Sequence, residues 1–294
     1  MAALIERPFD LTRDLPAILA LVSDARASGH PQAFLHPGGL QWLLRWLDHR
    51  PLEVRLWHED ATLVAATVDD GGYVMPISAD RSLDQQLWLL DRAEERRRAS
   101  GGPTIEISAW DGDSEYLAAI GARGYVTSGT FGHELVHDDP RAAQVPRLPD
   151  GYRMRWLEPE VDDAYVALHR ASWSDRTPST YTRELHDAVT AMPDFDRRFV
   201  PIVEAADGTL AAYCIGWLDP RTSTVEIEPL GTRPDRRRLG LGRTIVDEVL
   251  RRAAERGARS VMVWGSHRND AAIRLYESAG LRSRRVLREY RRAL

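Results

Sequence analysis

The chain has 294 residues, 43% hydrophobic and 28% charged, with 39 basic residues against 44 acidic ones and a formal net charge of -5. That length allows two ordinary domains with a core each, and the acidic balance argues against a nucleic-acid partner, which would require a positive excess facing phosphates. Cys214 is the only cysteine, so internal disulfides and thiolate metal clusters are excluded, and its apolar surroundings mark it as core packing. No metal spacing stands out among the nine histidines, so no metal is expected. Every basic residue is Arg, a coding bias of GC-rich, bacterial genomes that carries no functional information. Glu6, Asp10 and Asp14 break the apolar pattern of the first residues, unlike a signal peptide, and no apolar run approaches the ~20 residues that span a bilayer. A cytoplasmic protein without a membrane partner is the expectation.

In chain order, Ile5 to Phe9 reads as a strand and Leu15 to Val22 as an amphipathic helix. Further strands, a long helix, a strand and a short helix follow. Residues 141–151, rich in Pro and polar residues, read as a linker between domains of 1–140 and 152–294. The second domain opens in the same way, with Arg153 to Leu157 as a strand and Ala164 to Trp173 as a helix. Val200 to Ala205 and Leu210 to Leu218 flank Asp207-Gly208, a hairpin signal, and Val225 to Leu230 is a further strand. Leu239 to Glu255 has helical spacing and ends at Gly257; Ser260 to Trp264 is an apolar strand; Ala271 to Ser278 is a helix stopped by Gly280. Ser283 to Tyr290 reads as the last strand. The fold class is therefore α+β, mixed, in two similar halves.

The turn Arg237-Arg238-Leu239-Gly240-Leu241-Gly242 joins a strand to a helix. Unpaired amides and the positive dipole end meet there, and two positions without side chains let a diphosphate approach the backbone. A dinucleotide fingerprint would need a third glycine where Ile245 stands, and an NTPase phosphate loop needs a lysine that this chain lacks. Shifting the sequence by 156 positions aligns the halves: Arg81, Leu83, Asp91, Gly101 and Gly124 match Arg237, Leu239, Asp247, Gly257 and Gly280. Gly240 and Gly242 become Asp84 and Gln86, Asn269 becomes Asp113, and Tyr276 becomes Ile120. A carboxylate facing a diphosphate costs several kcal/mol, on the order of ten times the helix-dipole gain of about 0.3–1 kcal/mol. The first half is expected to have kept the fold and lost the cofactor.

With that turn, and with Asn269, Ala272, Leu275, Tyr276, Gly280 and Leu281 at their spacing, the second half resembles the GNAT superfamily of acetyl-CoA-dependent N-acyltransferases; the first half resembles it weakly. The resemblance implies two GNAT-like domains, each a mixed, mostly antiparallel splayed sheet flanked by helices, and acetyl-CoA as cofactor. It implies that the amides of Arg237, Arg238, Leu239, Gly240, Leu241, Gly242 and Arg243 wrap the pyrophosphate, with Arg side chains adding charge-assisted contacts or forming a solvated cationic corner. The strand Val225 to Thr232 would meet the pantetheine arm and the thioester through Leu230, Gly231 and Thr232. Pro229 and Gly231 also predict a local break in strand pairing on physical grounds.

Acyl transfer to an amine needs a neutral nitrogen, a polarised carbonyl and a protonated leaving thiolate. Glu226 and Glu228 lie two apart, on one face of the strand; the resemblance places the general base at Glu226, and cross-strand ion pairing is the structural alternative for both. It places the general acid at Tyr276, where a packed helix aromatic is the alternative, and the cofactor contact of a helix cap at Asn269. His267 is a possible secondary acid or base, while His30, His36 and His58 read as structural. The loop Trp173 to Tyr181 and the acids Asp175, Asp194 and Asp196 are candidates for meeting a cationic acceptor. The resulting expectation is an N-acetyltransferase that moves acetyl from acetyl-CoA to a primary amine of a small molecule or peptide by direct attack in a ternary complex, as a monomer or homodimer. The alternative is a non-catalytic acyl-CoA-binding sensor or assembly protein.

Overall fold

The structure is a computed structural model that describes residues 4–30, 32–175 and 178–294. In chain order it contains β1 (Ile5–Pro8), α1 (Leu11–Ala27), α2 (Pro37–Leu44), β2 (Leu52–Glu59), β3 (Thr62–Asp70), β4 (Tyr73–Ser78), α3 (Leu83–Ala99), β5 (Thr104–Trp110), α4 (Ser114–Ala122) and β6 (Val126–His137). These are followed by β7 (Tyr152–Trp156), α5 (Asp162–Trp173), α6 (Arg183–Thr190), β8 (Pro201–Ala205), β9 (Leu210–Asp219), β10 (Thr224–Thr232), α7 (Leu241–Glu255), β11 (Ser260–Ser266), α8 (Asp270–Ser278) and β12 (Arg282–Ala293).

The chain divides into two units, Met1–His133 with Arg285–Leu294, and Glu134–Arg284. The Pro-rich stretch 141–151 lies inside the second unit and is docked there. Ala143 and Leu148 pack against the second core, and the Arg147 carbonyl accepts from Thr244 Oγ1 at 2.6 Å.

In the first unit the sheet order is β1-β2-β3-β4-β5-β12. Its pairings are antiparallel except β4 with β5, which is parallel and limited to Tyr73 with Glu106 and Val74 with Ile107. The helices begin where polar side chains satisfy orphan amides: Asp10 accepts from Arg13 N at the start of α1, Ser82 from Gln85 N at α3, and Asp113 from Tyr116 N at α4. The buried stripe Leu15, Ile18, Leu19 and Val22 on α1 follows helical spacing.

In the second unit the order is β6-β11-β10-β9-β8-β7. Here β7 with β8, β8 with β9 and β9 with β10 pair antiparallel, and β10 with β11 pairs parallel. Both sheets are mixed and mostly antiparallel, as the α+β expectation has it. Asp207-Gly208 does turn β8 into β9, with Gly208 at φ 82°. The core beneath α7 contains Val225, Ile227, Leu241, Ile245, Val249, Val261, Tyr276 and the fully buried Cys214.

The repeat is legible in the backbone. β5 and β11, and α4 and α8, correspond at the same 156-position shift. Gly101 and Gly257 close the long helices at φ 76° and 75°, and Gly124 and Gly280 close the short ones at 86° and 91°. A side chain in that left-handed region costs about 1–2 kcal/mol, which is why glycine recurs at both pairs of ends. One long-range feature differs from a simple tandem. The last strand, read from the sequence as the end of the second half, pairs with β5 of the first unit from Leu287 with Trp110 to Ala293 with Thr104. Strand alternation identifies which face is buried but is silent on which neighbour supplies the hydrogen bonds.

Candidate active site

β10 and β11 pair only over Thr224 with Ser260, Val225 with Val261 and Glu226 with Met262, although both strands run on. Beyond Glu226 the strands part. On its other side β10 keeps pairing with β9, interrupted by a register shift between Ile227 and Leu230 that takes in Glu228 and Pro229, which are joined by a cis peptide bond. Pro229 has no N–H for the ladder, and the indole Nε1 of Trp217 donates to the Glu228 carbonyl at 2.6 Å. The result is a cleft in which Leu230, Gly231 and Thr232 border the gap from β10.

At the head of that cleft α7 begins without a side-chain cap. Its N-cap, Gly240, lies at φ 81° in the left-handed region, and Arg238 at φ 64° turns the chain just before it. The first intrahelical bond at this end is Thr244 N to the Gly240 carbonyl at 3.0 Å. Leu241, Gly242 and Arg243 therefore direct amides out of the helix end, with the dipole behind them. Leu239 is 45% exposed. Open space surrounds the position a Gly240 Cβ would occupy, whereas a Cβ on Gly242 would come 2.7 Å from Leu275 Cδ1. Gly242 thus has a packing reason of its own, the close approach of α8.

The arginines of the turn are largely committed to protein. Arg237 donates from Nε to the Thr232 carbonyl at 3.2 Å, from Nη2 to the Ser172 carbonyl at 2.9 Å, and from both Nη atoms to Asp175 at 2.5 and 3.0 Å. Arg243 grips Asp247 at 2.8 and 2.9 Å and also reaches the Ser278 carbonyl. Arg236 leans on Tyr152 and Asp207, each at 3.4 Å. Arg238 is exposed. Asp175 is neutralised by Arg237, and Asp196 caps the turn at Arg197 and pairs with Arg256 at 2.5 Å. Arg176 and Thr177 of the acceptor-loop candidate lie outside the described residues.

Val225 and Ile227 enter the core beneath α7, so by strand alternation Glu226 and Glu228 face the opposite side of the sheet. Glu226 is 2% exposed and Glu228 half-buried. The helices α5 and α6 bring an aromatic wall against β9. Tyr213 meets Tyr165 edge-on at 5.0 Å and His169 at 5.6 Å, Tyr181 stacks on His169 at 4.1 Å, and Trp173 Nε1 donates to the Tyr213 hydroxyl at 3.2 Å. Behind the wall, Arg197 grips Asp162 at 2.7 and 2.9 Å, Asp162 lies 3.0 Å from His186 Nε2, and His186 Nδ1 lies 3.1 Å from the Tyr181 hydroxyl. Burial pulls His186 below the ordinary histidine range despite that carboxylate.

Tyr276 is buried on α8, whose cap Asn269 accepts from Ala272 N at 3.3 Å. Burial pushes the phenol above its ordinary range, with the charges of Cys214 and Glu228 adding to it. Burial likewise pushes the neighbouring Cys214 thiol well above the usual range, again with Glu228 adding to it. The structure brings Glu228 and Cys214 within electrostatic reach of each other and of both Tyr213 and Tyr276. Tyr213 carried no sequence signal, being one residue of an apolar strand whose opposing glycine is remote in the chain.

The acetyltransferase (GNAT) family matches residues 160–281. The mycothiol acetyltransferase of Kineococcus radiotolerans is 31% identical over 210 residues, covering 65% of this chain and 67% of that protein. That of Thermobispora bispora is 32% identical over 157 residues, covering 50% of this chain and 52% of its own length. The chain thus spans about two thirds of the first relative and about half of the second. A tandem GNAT protein from the clavulanic acid biosynthesis pathway has the same fold at 19% identity, with a TM-score of 0.66 over 99% of this chain and 98% of that one.

Proposed function

Because the chain belongs to the acetyltransferase (GNAT) family, we propose that its second unit transfers an acetyl group from acetyl-CoA to a primary amine of a small molecule by direct attack in a ternary complex. The observation that carries this is the parting of β10 from β11 in front of the uncapped N-terminus of α7. The diphosphate lies on the amides from Arg237 to Arg243, the pantetheine arm runs between the strands, and Leu230, Gly231 and Thr232 meet the thioester end. Asn269 borders the cofactor from the start of α8.

The attacking amine must be neutral. The pair Glu226 and Glu228, on the face that carries the aromatic wall, takes its proton. A backbone amide of β10 polarises the thioester carbonyl as negative charge develops on it. Nitrogen forms the new bond to the acetyl carbon, the carbon–sulfur bond breaks, and Tyr276 gives its proton to the leaving thiolate. The acceptor enters from the face of the sheet on which Glu228 is half-buried. The names of the curated relatives make mycothiol-related amines the first acceptors to assay. The protein works in the cytoplasm of a bacterium, as a monomer or homodimer.

The test is calorimetric titration of acetyl-CoA into wild type, Gly240→Ala and Gly240→Asp, followed by a thiol-release assay over a panel of amines. A like charge about 5 Å from the diphosphate costs ~1–3 kcal/mol per pair, so the Asp variant should bind at least about tenfold more weakly than the Ala variant, which shares its backbone strain. One event per chain is expected. Equal affinity of the two variants would remove the diphosphate from this turn, two events would mean that the first unit binds as well, and binding without thiol release on any amine would favour a sensor.

A further inference from the structure

Two residues of β10, Glu228 and Pro229, stand opposite the single Ile215 of β9, because the pairing steps from Ile227 with Gly216 to Leu230 with Cys214. This is a β-bulge, which re-aims a side chain and takes backbone groups out of the ladder. On the other flank, pairing with β11 has already stopped at Glu226 with Met262. The ladder is thus interrupted on both sides of the Glu228 carbonyl, and a carbonyl buried without a donor costs about 1–3 kcal/mol.

A side chain takes the place of the missing amide. The indole Nε1 of Trp217 donates to the Glu228 carbonyl at 2.6 Å. Trp217 is the register partner of Glu226, so its ring lies beside that glutamate on the same face of the sheet and reaches along β10 to the bulge. The ring is held in place, being fully buried with Phe195 packed edge-on against it at 5.8 Å. The two glutamates differ accordingly. Glu226 sits in the ladder between β9 and β11 and is 2% exposed, whereas Glu228 sits on the bulge beside the opening between β10 and β11 and is half-buried. The charge of Glu228 also reaches Tyr276, the residue proposed to protonate the leaving sulfur, as expected of a base that serves the same acetyl carbon.

A group that removes a proton from an incoming amine must meet it directly or through one water, which favours the carboxylate that is open to the acceptor side. We propose that Trp217 is a positioning residue whose indole N–H holds the bulge at Glu228, so that the Glu228 carboxylate, rather than that of Glu226, takes the proton from the acceptor nitrogen. This rests on the acetyl transfer proposed for the second unit. The acceptor arrives as R–NH₃⁺ and gives one proton to Glu228, which passes it to solvent. The nitrogen of R–NH₂ bonds to the acetyl carbon, the carbon–sulfur electron pair leaves on sulfur, Tyr276 protonates the thiolate, and the second proton lost by nitrogen restores Tyr276.

The test measures kcat/KM against pH for Glu228→Gln, Glu226→Gln and Trp217→Phe in the full chain, with the panel amine that wild type turns over fastest, and checks by calorimetry that each variant still binds acetyl-CoA. Glu228→Gln should lower kcat/KM for the amine by on the order of 10² at pH 7, and by more than Glu226→Gln does. Its deficit should shrink by up to about tenfold per pH unit as solvent supplies the free amine. Trp217→Phe removes one hydrogen bond and should lower kcat/KM about tenfold at unchanged acetyl-CoA affinity. That deficit should also shrink as pH rises, which a loss of packing alone would not do. A larger loss in Glu226→Gln, or deficits in Glu228→Gln and Trp217→Phe that stay constant across pH, would overturn the proposal and leave acetyl transfer standing. Wild type that releases no thiol on any amine would remove acetyl transfer itself, and this inference with it.

Discussion

Gly231→Ala adds one methyl group at the most crowded point of β10. Its Cβ would come 2.4 Å from Tyr213 Cε1, 2.8 Å from Cζ and 2.9 Å from Ser172 Cβ. Carbon atoms rest at about 3.5–4.0 Å, so roughly 1 Å of movement must be found. Tyr213 is poorly placed to supply it, being fully buried, edge-on to Tyr165 at 5.0 Å and hydrogen-bonded to Trp173 at 3.2 Å. Shifting β10 instead strains its pairing with β9 at Leu230, Gly231 and Thr232. Overpacking of this kind costs about 1–3 kcal/mol, and the fixed ring places Gly231→Ala in the upper half of that range. Gly242→Ala is the control. Its methyl would crowd the free end of Leu275 at 2.7 Å, with Thr232 Oγ1 at an ordinary 3.5 Å; the Leu275 side chain can rotate away, so the loss should stay under about 1 kcal/mol. Urea unfolding at 25 °C measures both as shifts of midpoint at constant slope, and a 2–3 kcal/mol loss corresponds to roughly 4–12 °C in melting temperature for a unit of this size. If β10 holds the thioester, the same displacement lowers kcat by about 10². Gly231→Ala unfolding within 0.5 kcal/mol of wild type, a bound set by ordinary surface changes of about that size, would refute the packing of Tyr213 against this strand.

Tyr276→Phe should lower kcat by on the order of 10² with no loss of stability, since the hydroxyl makes no hydrogen bond to the described residues; unchanged turnover in the thiol-release assay would deny it the acid role. Arg237→Ala should raise the KM for acetyl-CoA by unmooring the turn from Asp175, Ser172 and Thr232, yet leave the salt dependence of binding as it was; a flattened salt dependence would mean that the guanidinium meets phosphate directly. Asp14→Asn should cost the first unit about 2 kcal/mol at pH 7, because Asp14 is 2% exposed and takes Arg7 at 2.5 and 2.7 Å, Arg13, and the Asp10 amide at 2.9 Å. Those partners, Arg7 first, hold its carboxyl well below the usual range. Its contribution is therefore complete above the unfolded value near 3.8 and fades as pH falls through the lower folded value, so the deficit should shrink in urea titrations at pH 2. Burial lowers His30 and His186, so the unfolded chain binds protons first as pH drops below about 6.5, and the urea midpoint should fall between pH 7 and 5.5; a flat profile would mean that the rings charge in place.

What the sequence determined by itself is what local chemistry decides within a few residues. Asp207-Gly208 turns a hairpin, Gly101 and Gly257 supply the left-handed ends of matching helices, Asn269 caps α8, and the Gly240 turn opens an uncapped helix, each because backbone sterics or an orphan amide act at close range. The correspondence of the halves, and the loss of the glycines at Asp84 and Gln86, could be read the same way. The tertiary structure decided the rest. Gly231 and Gly242 are required by Tyr213 and Leu275, the Arg237 side chain is claimed by Ser172 and Asp175, and β12 takes its hydrogen bonds from β5. Those partners lie tens to nearly two hundred positions away, and a pattern of apolar and polar residues specifies which face of an element is buried while leaving open which distant side chain it meets there.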